Sequence, residues 1–205
     1  SDGRSYFGVE RFDRDPLAPS TRLHIHTLSG LLHAPHTIPG QDYNDLLTAT
    51  RDLTKHHEEV VEAFRRMVFN ILAHNRDDHT KNFAYQMGQD GGWRLTPAYD
   101  VTISEGIHGQ HTMMIAGEGL APTRAHVAAV AENGSIATAA VREIIEAVED
   151  TVGDWSRYAQ QYEVTKVSIS SVQQRLDAAR DAFNTPGGAS IAGRRRARRP
   201  RGRAS

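Results

Sequence analysis

The sequence predicts a mainly α-helical domain carrying one small β-hairpin. Three observations lead there. Between Glu58 and His74, Val60, Val61, Phe64, Met67, Val68, Ile71 and Leu72 recur at helical spacing, with Glu62, Arg65 and Arg66 mostly off that face. The same period returns in Val141, Ile144, Ile145, Val148, Val152 and Trp155, and again in Val172, Leu176, Ala179 and Phe183. Two short runs, Phe83 to Met87 and Trp93 to Thr96, are joined by GQDGG, a glycine-rich turn suited to a hairpin.

Taken in order, Tyr6 to Phe12 (YFGVERF) alternates as a strand, with Phe7 and Val9 on one face. DRDPLAPST, punctuated by Pro16 and Pro19, reads as a loop, and RLHIHTLSGLL as a short strand passing into a helical turn. After a loop at Pro35 to Gly40, Asp42 stands as N-cap of a helix bearing Tyr43, Leu46, Leu47 and Leu53. The Glu58 to His74 helix follows, then a polar loop to Asn82, the hairpin, and Pro97-Ala98-Tyr99-Asp100. Thr112 to Ile115 reads as a short strand, and Pro122 to Glu132 as a helix with the proline in its first turn, closed by Asn133-Gly134. A longer helix runs from Thr138 towards Tyr162 with Gly153 as an interruption, and a last one from Ser170 to Phe183.

Residues 1–185 are thus expected to form one domain, within the size that a single core supports. With 39% hydrophobic and 24% charged residues, the composition is that of an ordinary globular protein. No apolar run approaches a membrane span, and SDGRSYFGVE lacks the basic-then-apolar pattern of a signal peptide. The absence of cysteine excludes disulfides and thiolate metal sites and fits a cytoplasmic protein. Any metal must be held by oxygen or imidazole.

The formal net charge of -1 conceals a polarity, because residues 194 to 205 hold seven arginines and no acid, leaving -1 minus 7, or -8, on the remainder. Residues 186–205 read as a disordered Arg-rich tail or vector-like extension. Nucleic acid is a weaker reading of that tail, which lacks interleaved aromatics. With no initiator methionine and an opening on a strand, the sequence reads as a fragment of a longer product.

The chemistry concentrates in FNILAHNRDDHTKNFAYQMGQDGGWRLTPAYD, Phe69 to Asp100. Arg76-Asp77, then four residues, then Asn82 has the spacing of the protein-kinase catalytic loop, where the aspartate faces the substrate hydroxyl and the asparagine holds magnesium. Asp100, after the next strand, is the candidate second metal ligand, and Lys81 can meet phosphate charge. Magnesium keeps waters and phosphate oxygens as its other ligands, so one Asn and one Asp suffice. Asp78 and His79 read as supports of the loop, with His79 also counted among the cofactor-binding candidates. His108 and His111 read as surface residues, and Met113-Met114 as packing.

These motifs carry a resemblance. VERFDR (Val9 to Arg14), NRDDHTKNF (Asn75 to Phe83), WRLTPAYD (Trp93 to Asp100) and the GIH of Gly106 to His108 resemble the C-terminal part of HipA-family serine/threonine kinases, toxins of bacterial toxin-antitoxin modules. The resemblance runs from about Tyr6 to Phe183. It implies a protein-kinase-like C-lobe, ATP and Mg²⁺ as cofactors, a DNA-binding HipB-type antitoxin as partner, and translation-related targets such as an aminoacyl-tRNA synthetase. It further implies that Asp77 is the catalytic aspartate, that Asn82 and Asp100 are the metal ligands, and that Glu10, Arg11 and Phe12 form the hinge whose backbone meets adenine. The family places a glycine-rich phosphate loop and an ATP-binding lysine ahead of VERFDR. This sequence begins after that point and has only Lys55, Lys81 and Lys166. Two rival readings therefore stand beside the kinase: a truncated, non-catalytic module that binds or regulates, and a metal-dependent hydrolase using His74, Asp77, Asp78 and His79.

Overall fold

A computed structural model describes residues 8–15, 17–33 and 40–186. About half of the described residues are helical, accompanied by small two- and three-stranded sheets. In chain order the elements are β1 (Arg14–Asp15), β2 (Ala18–Arg22), β3 (His24–Thr27), α1 (Leu28–Leu31), β4 (Gln41–Asp42), α2 (Tyr43–Thr54), α3 (His57–Leu72), β5 (Ala84–Met87), β6 (Trp93–Leu95), β7 (Met113–Met114), α4 (Arg124–Asn133), α5 (Thr138–Gly153), α6 (Trp155–Gln161) and α7 (Lys166–Phe183).

The core is built on α3. Its apolar face (Val60, Ala63, Phe64, Met67, Val68, Ile71) is buried against α2, α5 and α7, and each of these helices offers the stripe that its period predicts. Burying such side chains stabilises by about 1.5–3 kcal/mol each, which fixes α3 as the element the rest is hung upon. Asp42 caps α2 as expected: its Oδ1 accepts from the Asn44 amide at 2.9 Å while Asp45 Oδ2 accepts from the Asp42 amide at 2.9 Å. Gly153 ends α5, and Asp154 separates it from α6. The antiparallel hairpin β5–β6 forms, and β3 adds to it in the order β3-β5-β6. The parallel pair β4–β7 ties the start of α2 to Met113 and Met114.

The amino-terminal reading needs correction. Gly8 to Phe12 form no strand, and Val9 is 72% exposed, so the expected hinge strand is absent over the described part of 6–12; Tyr6 and Phe7 lie outside the described residues. Alternation alone makes no strand where no backbone ladder is available. The ladder instead begins at Arg14 and runs through the segment read as a loop, pairing β1 with β2. A two-stranded ribbon leaves one edge of each strand unpaired, which is where proline is tolerated. Two helix starts also shift. α4 begins after Pro122, with Thr123 and the His126 ring closing its first turn, and α7 begins at Lys166, because Thr165 caps it by accepting from the Ser168 amide at 3.2 Å. Residues 187–205, including the Arg-rich tail, lie outside the described residues. Among the described residues no helix is long and apolar enough to cross a membrane.

Candidate functional site

The end of α3 delivers the polar loop. His74 adopts φ 52° and turns the chain, and the Asn75 amide donates back to the Asn70 carbonyl at 2.9 Å. The loop is then laced to the segment after Asp100: the Arg76 amide donates to the Ser104 carbonyl at 3.2 Å, and the Thr112 amide to the Arg76 carbonyl at 3.1 Å. The Arg76 guanidinium donates to the Gly109 carbonyl. Gly106, at φ 65°, lies so close to Arg76 that a β-carbon there would overlap the Arg76 Cβ, so this crossing of two loops demands glycine.

Asp78 is the hub of this lacing. Fully buried, it accepts from Tyr43 Oη at 2.7 Å, from the His111 Nδ1 side at 2.9 Å and from the Thr112 amide at 2.7 Å. Burial, reinforced by the charge of Asp78, pushes the Tyr43 phenol well up, which keeps it a donor. The supporting role expected of Asp78 is therefore observed. His111 is not a surface residue: it is 3% exposed and serves as Asp78's partner. Sequence reasoning missed Tyr43 and His111 because their link to Asp78 spans 35 and 33 residues, and neither lies in a motif.

Around that hub the predicted residues divide. Asp77 Oδ1 lies 2.7 Å from His79 Nε2, and Asn82 Nδ2 donates to the Asp77 carbonyl at 3.1 Å, within a short 3₁₀ turn at Thr80–Asn82. With its nitrogen so used, the Asn82 amide oxygen is the atom left for a ligand. Asn82 and Asp100 line one cavity, and the Tyr99 phenol bridges their segments by donating to the Lys81 carbonyl at 2.6 Å. Burial, with the charge of Asp100, pushes that phenol up to about 12. Lys81 is exposed. Of the hinge candidates, Phe12 reaches the site, its ring centroid 5.5 Å from that of Tyr99, whereas Glu10 is exposed and Arg11 is spent on Asp13.

Asp100 sits in the left-handed region at φ 55° and is exposed. A non-glycine residue there carries strain of the kind that functional sites retain. Asp100→Gly is therefore expected to raise stability by about 0.5–1 kcal/mol, read as a higher Tm, while removing the carboxylate from the cavity.

His74 and Glu105 form a second, separate pair at 3.1 Å, which Arg175 from α7 joins through the other Glu105 oxygen at 2.8 Å. Burial holds the His74 imidazole below its ordinary 6.5, outweighing the pull of Glu105. The folded state thus prefers the neutral ring. That contribution is complete above pH 6.5 and is lost as pH falls through the lowered value, so Tm should decline below pH 6.5 less steeply in His74→Asn than in the parent protein.

Among the described residues no three His, Cys, Asp or Glu side chains are grouped to hold a metal ion. His74 turns to Glu105 and Asp78 to Tyr43 and His111, so the four-ligand set of a hydrolase is not assembled.

The sequence profile described as HipA-like C-terminal domain matches residues 1–155. The chain belongs to this HipA-like family. A chain of the solved complex of the Shewanella oneidensis MR-1 toxin-antitoxin system, HipA, HipB and its operator DNA, superposes with a TM-score of 0.69 at 18% identity, over 85% of this chain and 47% of that one. At that identity the likeness shows the fold, and the HipA-like chain spans about half the length of its solved neighbour. No curated protein matches.

The HipA-like site suits a hard cation. Its amide oxygen at Asn82 and carboxylate at Asp100 are the donor types magnesium takes, and two protein ligands leave room for water and phosphate. The rings of Phe12 and Tyr99 pair immediately before Asp100.

Proposed function

We propose that this chain is the catalytic C-terminal portion of a HipA-like serine/threonine protein kinase with a protein-kinase-like C-lobe, transferring the γ-phosphate of ATP to a Ser or Thr hydroxyl. The observation that carries the reading is the placing of Asn82 and Asp100 on one cavity, with the Asp77 carbonyl bonded to Asn82. Bound Mg²⁺·ATP would supply the phosphoryl group and neutralise its charge. Asp77 is 47% exposed at its side chain, so it can reach a substrate. It accepts the proton of the attacking hydroxyl, while His79 holds its Oδ1 and fixes the carboxylate plane. Lys81 faces solvent where phosphate charge would lie, and Phe12 with Tyr99 walls the adenine side.

The partner proposed for the intact protein is a DNA-binding HipB-like antitoxin, supported by the assembly in which the solved neighbour sits. The proposed substrate is a translation-related protein such as an aminoacyl-tRNA synthetase, and the proposed location is cytoplasmic. The second reading is a non-catalytic binding or regulatory module. One experiment separates them. The chain is incubated with γ-labelled ATP, Mg²⁺ and a Ser/Thr protein substrate, alone and together with the amino-terminal half of a HipA relative, beside its Asp77→Asn variant. Transfer that needs Asp77 supports the kinase. Equal transfer by the variant contradicts it, and absence of both nucleotide binding and transfer when the other half is supplied favours the module.

A further inference from the structure

The run RLHIHT sets two histidines, His24 and His26, two positions apart on β3. A strand turns alternate side chains to one face, so both imidazoles leave the same side of β3 and Ile25 leaves the other. β3 is an edge of the sheet ordered β3-β5-β6, where His24 is exposed and His26 half-buried. Their ring centroids stand 6.3 Å apart. Two imidazoles sharing one ion through N–metal bonds of about 2.0–2.1 Å place their centroids about 5–6 Å apart, so a small rotation of either ring closes the pair on a metal.

Each ring is also held in place. His26 Nδ1 lies 3.2 Å from the Thr27 carbonyl oxygen, which only accepts, so Nδ1 carries the proton and Nε2 keeps the lone pair. Metal-binding histidines are commonly fixed in this way, the second nitrogen donating to a carbonyl. The same ring rests on Gly30 of α1, where a β-carbon would stand 2.6 Å from His26 Cε1, so the helix carries glycine where the ring needs room. The His24 ring meets the Trp93 ring edge-on at 5.4 Å, and Met87 lies between them in the ladder, opposite both.

The donor types select the ion. Among the described residues no third His, Asp or Glu joins the pair, so the site offers a hard cation such as magnesium no carboxylate. Imidazole suits copper, nickel and zinc, copper binds tightest of the divalent series, and the Met87 thioether on the same face is a soft donor that favours copper further. We propose that His24 and His26 form a two-imidazole binding site for a copper ion on the free edge of this sheet, with the Met87 thioether and water as the other donors. No residue of the proposed phosphoryl transfer takes part, and the site does not rest on that reading.

The test uses the full chain and Cu²⁺, which is paramagnetic and bleaches nearby NMR signals. The chain has two indoles. Trp93 is beside His24 on β6, whose Leu95 amide donates to Glu59 in the first turn of α3, whereas Trp155 lines a cavity with Phe69 and Ala73 at the other end of that helix. About 20 Å of helix separates those ends. Titrated Cu²⁺ is expected to extinguish the Trp93 indole signal at about one equivalent and to spare that of Trp155. His24→Gln and His26→Gln should each raise the copper required at least about tenfold, and the exposed His24 carries the test should His26→Gln fail to fold. Gly30→Ala keeps both imidazoles and crowds one of them, so it should weaken binding several-fold. An excess of Zn²⁺ should leave the Trp93 signal extinguished. Joint loss of both indoles, or loss indifferent to the histidine substitutions, would mean copper scattered over other histidines and would overturn the site. Unchanged affinity in Gly30→Ala would overturn its preset geometry, and reversal by equimolar Zn²⁺ would overturn its assignment to copper.

Discussion

Asp77→Asn is expected to lower the phosphoryl-transfer rate by about 10²–10⁴-fold, the range that a positioned general base contributes. The substitution is close to isosteric. It keeps the backbone carbonyl that receives Asn82 Nδ2, and an amide oxygen can still accept from His79. What it removes is the capacity to take a proton from the attacking hydroxyl. Because the side chain is 47% exposed and lies outside the Asp78 network, stability should move by no more than about 0.5 kcal/mol. Steady-state kinetics should therefore show kcat falling with KM for ATP retained, and circular dichroism an unchanged melt. A fall in rate accompanied by a matching fall in Tm would assign Asp77 to the scaffold instead.

Asp78→Ala is expected to do the opposite and act on the fold. The change orphans the Tyr43 hydroxyl, the His111 ring and the Thr112 amide, all in a site closed to water. Each stranded group costs about 1–3 kcal/mol, so the variant should lose at least about 3 kcal/mol. For a chain of this size that is a drop in Tm of about 6–12 °C. Asp78→Asn retains one acceptor and should fall between. In the proposed kinase, activity should fail in Asp78→Ala as well, since the same bonds clamp residues 111–113 onto the loop that carries Asp77. A melt within 2 °C of the parent would show that the hub holds less than its geometry states, about 1 kcal/mol or under.

Most of the helical framework was legible because burial and period coincide in it. Val60 to Leu72 repeat at the helical interval, and the same face is the one that meets α2, α5 and α7. The Asp42 cap and the Gly153 break were legible for a similar reason, since cap chemistry and the cost of glycine act within one turn. The hinge was not. Val9 alternates with its neighbours as a strand would, but strand formation depends on a partner that alternation does not encode, and the pairing went to Arg14 and Arg22 instead. The site was legible as a list and illegible as a network. Asp77, Asn82 and Asp100 stand in recognisable spacings, yet nothing local announces that Tyr43 and His111 converge on Asp78, because that convergence is made by packing across more than thirty residues.

In the proposed kinase, Asn82 and Asp100 grip one nucleotide-bound cation. Mn²⁺ in place of Mg²⁺ reports this directly, because it broadens NMR signals within a short radius. Titrating Mn²⁺ with ADP into the chain joined by the amino-terminal half of a HipA relative should bleach the resonances of both Asn82 and Asp100, and Asp100→Asn should weaken the effect at Asn82. Bleaching confined to other acidic residues, with Asn82 and Asp100 untouched at saturating Mn²⁺·ADP, would contradict it.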